Sequence, residues 1–177
     1  SLTFVHNQGF SEVIKEAMPH FFTVPGMPSR TPSTSLKAPG AGAMKIDLLF
    51  PGAQLGTVIP VNALRWHAQS IPYLDYLTEQ TQVALALGTT KAVPVRTPTP
   101  IRFAFHKAYS SLNRTAVDSD KKTKDNSQCV LLLNHLQNED EDELLRAFEC
   151  APVEIQQSVR KVFPAAWNEK NLSAPKG

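Results

Sequence analysis

The chain has 177 residues, of which 42% are hydrophobic and 19% charged, and its formal net charge is +2. This length and composition indicate one domain with room for a helical annex. They exclude a large multidomain protein and a chain that is disordered throughout. The small net charge, without a run of Lys and Arg, argues against a general binder of nucleic acid or membrane surfaces, so any phosphate binding must be local.

The chain start and the two cysteines indicate a cytoplasmic protein. No apolar stretch reaches the roughly 20 residues that a bilayer crossing needs, and the N-terminus lacks the basic-then-apolar order of a signal peptide. Cys129 and Cys150 lie in helix-like segments without a C-x-x-C pair, so we expect two buried thiols in a reducing compartment. Because Ser1 leads directly into an apolar run, we expect the chain to be an N-terminally incomplete part of a longer protein.

Residues 1–97 are rich in Pro and Gly and predict the sheet part of a domain. Ser11 is predicted to cap a short helix over residues 12–18, and residues 21–24 form a strand candidate. Residues 25–42 carry Pro and Gly throughout, so we expect a long surface loop or flap that does not pack on its own. The polar residues of this loop, Ser33, Thr34, Ser35 and Lys37, could form a phosphate-facing flap, but they are interpreted as an ordinary polar loop outside the site.

The clearest strand in the sequence is 44–50. Its apolar face consists of Met44, Ile46, Leu48 and Phe50. Asp47 is therefore predicted to be a carboxylate in mid-strand, on the opposite face. Four further strands are predicted at 58–64, 73–77, 82–87 and 92–96, the last two joined by a hairpin turn at 88–90. Together these segments predict one mixed or antiparallel sheet of about five strands.

Residues 98–177 predict a helical part. Pro100 belongs to the first turn of the first long helix, where a missing N–H breaks no intrahelical bond. The predicted core-facing residues of this helix are Ile101, Phe105, Ala108 and Leu112. Lys107 and Arg114 lie seven residues apart, so they are predicted to form a cationic stripe on one side of the helix.

Three more helices are predicted after this one. The first starts near Asp118 or Ser119 and brings Lys121, Lys124 and Asp125 close together. The next follows Asn138 and has acidic residues in its first turn, where the helix dipole favours negative charge. The last opens at Pro152 and ends at Pro164.

Motifs of several familiar chemistries are missing from the sequence. It contains no dinucleotide-binding G-x-G-x-x-G, no P-loop, no G-x-S-x-G and no H-E-x-x-H. His67 and His106 stand alone in mixed surroundings, so they are interpreted as structural side chains. Composition and pattern thus indicate an α+β domain without assigning its chemistry.

Five sequence blocks, taken in order and spacing, carry a resemblance to a known family. They are PSTSLK at 32–37, KIDLL at 45–49, YLDYL at 73–77, VPVRTPTPIRFAFHK at 93–107 and KKTKD at 121–125. Over about residues 10–135 the chain resembles the later part of a bacterial nucleotidyltransferase-like family of the polymerase-beta-type superfamily. That family is similar to the nucleotidyltransferase toxins of abortive-infection toxin–antitoxin pairs.

The resemblance implies an α+β fold, with a mixed sheet whose carboxylates hold divalent metal and a helical part that closes over the nucleotide. Asp47 matches the third carboxylate of the family, Lys107 its motif lysine, and Lys124-Asp125 its basic-acidic pair. The family also has a D-x-D strand, one strand before the third carboxylate. Since no strand here carries D-x-D, we expect that pair to lie upstream of Ser1.

These matches predict a metal-dependent nucleotidyltransferase that transfers a nucleotide from an NTP to a hydroxyl of RNA, protein or a small molecule. Asp47, Lys107 and Asp125 are the predicted catalytic residues, and Asp47 is the predicted Mg²⁺ ligand. The predicted nucleotide-binding residues are Lys107, Arg114, Lys121 and Lys124. One carboxylate cannot build a metal cage, so this chain alone is expected to be inactive.

Other interpretations remain open. The chain could be a noncatalytic module that keeps the fold to bind nucleotide or protein. Asp47 could exist only to pair with Lys45, and Lys121 with Asp125 could be a surface ion pair stabilising the helix by about 0.3 to 0.5 kcal/mol. The resemblance also suggests an antitoxin-like partner, and an uncovered sheet edge would favour self-association. No membrane association is expected.

Overall fold

A computed structural model describes residues 8–28, 30–88, 90–113 and 119–164. It confirms an α+β protein with small mixed and antiparallel sheets and a helical C-terminal part. The chain divides into two compact units, the first ending at Asp75 and the second beginning at Tyr76. Among the described residues, no helix is both long enough and apolar enough to cross a membrane.

The first unit is built mainly from short strands. Its elements are α1 (Phe10–Ala17), β1 (Phe22–Thr23), β2 (Ser35–Lys37), β3 (Lys45–Asp47), β4 (Leu49–Pro51), β5 (Val58–Val61), a 3-10 turn (Asn62–Leu64) and β6 (Trp66–Ile71). Helix α2 (Leu74–Glu79) lies at the division between the units. The second unit continues with β7 (Thr81–Leu87), β8 (Ala92–Pro98), α3 (Pro100–Asn113), α4 (Ser119–Glu139), α5 (Glu141–Glu149) and α6 (Val153–Val162).

Helix α1 begins after Gly9, two residues earlier than the predicted cap at Ser11, so that prediction is wrong. The Gly9 N–H donates to Glu12 Oε2 at 2.7 Å, and the Glu12 N–H donates to the Gly9 carbonyl at 3.1 Å. This reciprocal pair satisfies the first-turn donors without a side chain at the cap. The earlier start also brings Phe10 into the helix, where it is buried together with Ile14.

The first sheet has the strand order β1-β2-β3, and both pairings are antiparallel. Strand β2 lies inside the segment 25–42 that was predicted to be an unpacked loop, so that prediction is wrong for residues 35–37. Leu36 of β2 is fully buried and joins Phe10, Ile14 and Phe21 in the core of the unit. A strand of three residues is too short to give a periodic pattern, which is why the surrounding Pro and Gly dominated the prediction.

The predicted strand 44–50 is split between two sheets. Its first part, β3, pairs with β2, whereas its second part, β4, pairs in parallel with β6. Leu48 lies at the switch, where its N–H donates to the Thr34 carbonyl and its carbonyl accepts from the Gln69 N–H. The continuous apolar face is therefore broken: Ile46 and Leu48 pack on the core, but Met44 and Phe50 are exposed.

The second sheet has the order β4-β6-β5 and is mixed. Its central strand β6 was not predicted, because its two buried side chains, Ala68 and Ser70, are small and give no hydrophobic signal. The predicted strand 58–64 ends at Val61 and continues as the 3-10 turn. Thus, among the described residues, three small sheets take the place of the predicted single sheet of about five strands.

The prediction of a strand at 73–77 is wrong, because residues 74–77 belong to helix α2. Arg102 of α3 fixes the helix end in three ways. Its guanidinium donates to the Tyr76 carbonyl at 2.9 Å, pairs with Glu79 at 2.9 Å, and lies 4.0 Å from the centroid of the Tyr76 ring. Cationic donors stabilise the free carbonyls of a helix C-terminus, and this partner is distant in sequence. Burial raises the pKa of Tyr76 to about 12, and the nearby positive charge of Arg102 opposes part of this increase.

The hairpin of β7 and β8 is confirmed, with Thr81 opposite Pro98 and Leu87 opposite Ala92. The Gly88 N–H donates to the Lys91 carbonyl at 2.8 Å across the turn, whereas Thr89 lies outside the described residues. Three apolar side chains of β7 are largely exposed on this hairpin: Val83, Leu85 and Leu87.

The helical predictions hold well. Helix α3 starts at Pro100, and Phe105 and Ala108 are fully buried, but Leu112 is 38% exposed and does not belong to the core as predicted. Helix α4 starts at Ser119, α6 follows Pro152, and α5 is capped by Asp140, which accepts the Glu143 N–H at 2.8 Å. Local capping and charge signals therefore determine these helix starts.

The two thiols differ, which corrects the prediction that both are buried: Cys129 is fully buried, and Cys150 is exposed. Burial raises the pKa of Cys129 to about 12, so its thiol stays protonated near pH 8, and the thiolate is the reactive form. We expect a chromogenic disulfide reagent to modify one thiol in the native chain and both in guanidinium chloride. Rapid modification of both thiols in the native chain would contradict this packing.

Candidate functional site

A polar face lies on the first sheet, where β2 and β3 pair. The register places Ser35 opposite Asp47 and Lys37 opposite Lys45, whereas Leu36 lies opposite Ile46. Because side chains alternate between the faces of a strand, the two polar pairs share one face and the apolar pair faces the core. We call the set Ser35, Lys37, Lys45 and Asp47 the polar sheet face.

The predicted site residue Asp47 is engaged with two neighbours on this face. Its Oδ1 accepts a hydrogen bond from Ser35 Oγ at 2.5 Å and lies 2.6 Å from Lys45 Nζ. Ser35 is buried, whereas the Asp47 and Lys45 side chains are 34% and 45% exposed. The pairing with Lys45 that was considered from the sequence is thus present, and it gives the carboxylate a cationic neighbour.

A cleft of about 240 Å³ opens beside the polar sheet face. Its polar lining consists of Thr31, Thr34, Ser35, Lys45 and Gln69. The loop that closes one side requires glycine at position 26, because a Cβ there would lie 2.0 Å from the Thr31 carbonyl oxygen. The volume is below the 300 to 1,000 Å³ typical of pockets for whole drug-sized ligands, so the cleft has room for part of a nucleotide.

The second unit brings together two other predicted site residues. Lys107 on α3 forms an ion pair with Asp125 on α4, and the two side chains are 22% and 5% exposed. The Lys107 Nζ also lies 5.3 Å from the centroid of the Phe103 ring. Asp125 thus binds a cation across the helix pair, and Lys121 and Lys124 on its own helix are exposed.

This arrangement changes the interpretation of the predicted cationic stripe. Lys107 is not a solvated lysine, since its ammonium is held at the contact between α3 and α4. Arg114, the other member of the stripe, lies outside the described residues. The sequence spacing of seven could not reveal that Lys107 is bound by a carboxylate 18 positions away.

The described residues do not fit a magnesium site by themselves. Among residues 8–28, 30–88, 90–113 and 119–164, no group of three or more His, Cys, Asp or Glu side chains could hold a metal ion. Mg²⁺ prefers clustered carboxylate oxygens, but the neighbours of Asp47 are an ammonium and a hydroxyl. Strand β2, which precedes β3 and pairs with it, has Ser35 and Lys37 on the polar sheet face and no carboxylate beside Asp47.

The position of Ser35 and Lys37 on the polar sheet face was not predicted, because both residues were assigned to a loop. The polar-apolar-polar order Ser-Leu-Lys was the available signal for a short strand. His106, by contrast, is buried, with its Nδ1 at 3.4 Å from Ser110 Oγ, which is compatible with the structural role expected for it.

A family model with the description Nucleotidyltransferase matches residues 2–151. No curated protein and no solved structure matches the chain.

Proposed function

The chain belongs to a nucleotidyltransferase family, and from this premise we propose that it binds a nucleoside triphosphate and contributes to transfer of the nucleotide to a hydroxyl acceptor. The ion pair between the partly buried Lys107 and the buried Asp125 is the structural observation that carries this proposal. Burying two charges costs more than packing apolar side chains of similar size, so such a pair is weak evidence for stability and better evidence for a specific role. In this proposal Asp125 positions the Lys107 ammonium toward the nucleotide phosphates.

Lys121 and Lys124 supply further positive charge in the proposal. Both are exposed on α4, the helix that also carries Asp125. Ammonium groups bind phosphate oxygens through charge-assisted hydrogen bonds, which are stronger than neutral ones. Arg114, which precedes α4 in the chain, is also a cationic residue and would bind phosphate oxygens in the same way.

The metal belongs to the proposal as well. When bound, a Mg²⁺ ion would supply positive charge for the triphosphate and activation of the attacking hydroxyl. Asp47 is the ligand that the sequence predicts, and its neighbours in the structure, Lys45 and Ser35, do not complete a metal site. The acceptor is a hydroxyl of RNA, protein or a small molecule.

A noncatalytic nucleotide-binding module is the second candidate. The contacts of Asp47 with Lys45 and Ser35 favour it, because they occupy one carboxylate oxygen with a cation and a hydroxyl donor. In this candidate the chain retains the fold and its phosphate-binding cations without a metal cage.

The proposed setting is the bacterial cytoplasm, with an antitoxin-like protein partner or self-association. The exposed apolar side chains of the β7–β8 hairpin support association with another polypeptide. A group of neighbouring apolar side chains on a strand pair is usually covered by another part of a protein.

We expect the 177-residue chain to bind an NTP but to show no transfer of labelled nucleotide with Mg²⁺ or Mn²⁺. Binding is measured by calorimetry with ATP, GTP, CTP and UTP, and transfer by label incorporation into the chain and added RNA. The double variant Lys121→Ala/Lys124→Ala should weaken NTP binding about tenfold, since two charge-assisted contacts are lost.

The matched control for this experiment is Lys161→Ala, because Lys161 is an exposed lysine on α6. It should leave NTP affinity unchanged. If none of the four NTPs binds, the proposed function is wrong. If the chain incorporates label in a metal-dependent way, its own residues suffice for transfer, and the expectation of an inactive fragment is wrong.

A further inference from the structure

Two lysines face each other on the polar sheet face. Lys37 and Lys45 are direct cross-strand partners in the antiparallel β2–β3 pair. Like charges in directly opposite positions destabilise a strand pair unless a counter-charge lies near them. Asp47 supplies one negative charge, through its contact with Lys45. The face therefore keeps a net positive charge.

The second lysine lacks such a contact. In the part of the chain that the structure describes, no hydrogen-bond acceptor or carboxylate contacts the Lys37 ammonium. Lys37 is only partly exposed, so its charge is not fully surrounded by solvent. An anion that bridges Lys37 and Lys45 would relieve their repulsion.

The adjoining cleft offers further hydrogen-bond donors. Thr31, Thr34 and Gln69 line it together with Lys45 and carry hydroxyl and amide groups. Thr34 Oγ1 lies 3.5 Å from Ser35 Oγ, so hydroxyl groups continue from the cleft onto the sheet. These are neutral donors, which suit the oxygens of a phosphate group beside the two ammonium groups.

From this arrangement we propose that the polar sheet face and its cleft form a phosphate-binding site that takes the diphosphate part of a nucleotide directly, without a divalent metal. The proposal rests on the proposed function for the nucleotide, but it replaces the metal role of Asp47, because the diphosphate is recognised by Lys37 and Lys45. The Lys45 ammonium then exchanges part of its contact with Asp47 for a phosphate oxygen. No covalent step is involved.

The role of Asp47 separates this site from a metal site. At a metal site the carboxylate attracts the cation that binds phosphate, so Asp47→Asn weakens phosphate binding. At the proposed site the carboxylate competes with phosphate for Lys45, so Asp47→Asn strengthens binding. The amide is nearly the same size as the carboxylate and still accepts the Ser35 hydrogen bond.

The experiment measures binding of inorganic pyrophosphate and of ATP to the full chain by calorimetry, in EDTA and in Mg²⁺. We expect pyrophosphate to bind in EDTA, and Lys37→Met and Lys45→Met each to weaken it about tenfold. Methionine keeps the apolar stem of the lysine without its charge. Asp47→Asn should tighten binding several-fold, and Lys15→Met, on the exposed face of α1, should leave it unchanged.

Each outcome has a defined meaning. Far-UV circular dichroism and urea midpoints first show that the variants are folded. Absence of pyrophosphate binding in EDTA, binding that persists in both lysine variants, or weaker binding by Asp47→Asn overturns the phosphate site. If ATP still binds in those cases and depends on Lys121 and Lys124, the proposed function stands without this site. If pyrophosphate binds through Lys37 and Lys45 but no NTP binds, the site stands and the proposed function fails.

Discussion

The Asp125→Ala variant is expected to lose about 3 kcal/mol of its free energy of unfolding. The substitution leaves the Lys107 ammonium at the contact of α3 and α4 without its carboxylate, in a place where only 22% of the lysine side chain is exposed. A buried charge without a partner costs more than the pair contributes when both members are present. Urea unfolding followed by circular dichroism measures the change.

Two controls identify the cause of that loss. Replacing both members, in Lys107→Met/Asp125→Leu, should recover most of the stability because no charge is left buried. Glu139→Gln removes a contact between two exposed side chains, since His135 is 64% and Glu139 61% exposed. It should change the free energy of unfolding by less than about 1 kcal/mol. A change below about 1 kcal/mol for Asp125→Ala would show that Lys107 is effectively solvated. In that case the ion pair of Lys107 and Asp125 would no longer support a specific role for these two residues.

The Phe148→Ala variant is expected to destabilise the protein by about 3 to 5 kcal/mol. Phe148 on α5 is 1% exposed and packs edge-to-face on Phe105 of α3, with ring centroids 6.2 Å apart. Removing the ring loses its burial and leaves a cavity that the surrounding helices fill only in part. Thermal and urea unfolding both report the loss.

A matched control lies on α4. Leu131 is 71% exposed, so Leu131→Ala should change the free energy of unfolding by less than about 0.5 kcal/mol. Phe148→Leu should fall between the two, because it keeps part of the apolar volume. Equal small effects for Phe148→Ala and Leu131→Ala would contradict the packing of α5 against α3.

Local sequence signals determined the helical part of this protein. Pro100 marks the start of α3, the acidic residues after Asp140 mark the start of α5, and Pro152 precedes α6. The β7–β8 hairpin was also predictable, since its strands are long enough to show a pattern around Gly88. Each of these features depends on residues close in sequence, where capping, charge and backbone preference act.

The candidate site was predictable only as a set of residue types. The sequence and its family resemblance pointed to Asp47, Lys107 and Asp125, but not to their contacts. That Lys107 binds Asp125, and that Ser35 and Lys45 bind Asp47, follows from pairings across helices and strands. No local pattern encodes such partners.

The tertiary structure alone decided how the short strands associate. Strand β2 has three residues, β6 buries only small side chains, and the run 44–50 changes partner at Leu48. Their hydrogen bonds join segments far apart in the chain, so their stability comes from partners that a local window does not contain. The sequence by itself therefore determined the α+β class, the starts of α3, α5 and α6, and the hairpin. Packing in the core decided the three-sheet arrangement and the position of the polar sheet face. Because Leu36 and Ile46 pack on one face of the β2–β3 pair, the polar residues Ser35, Lys37, Lys45 and Asp47 lie on its other face.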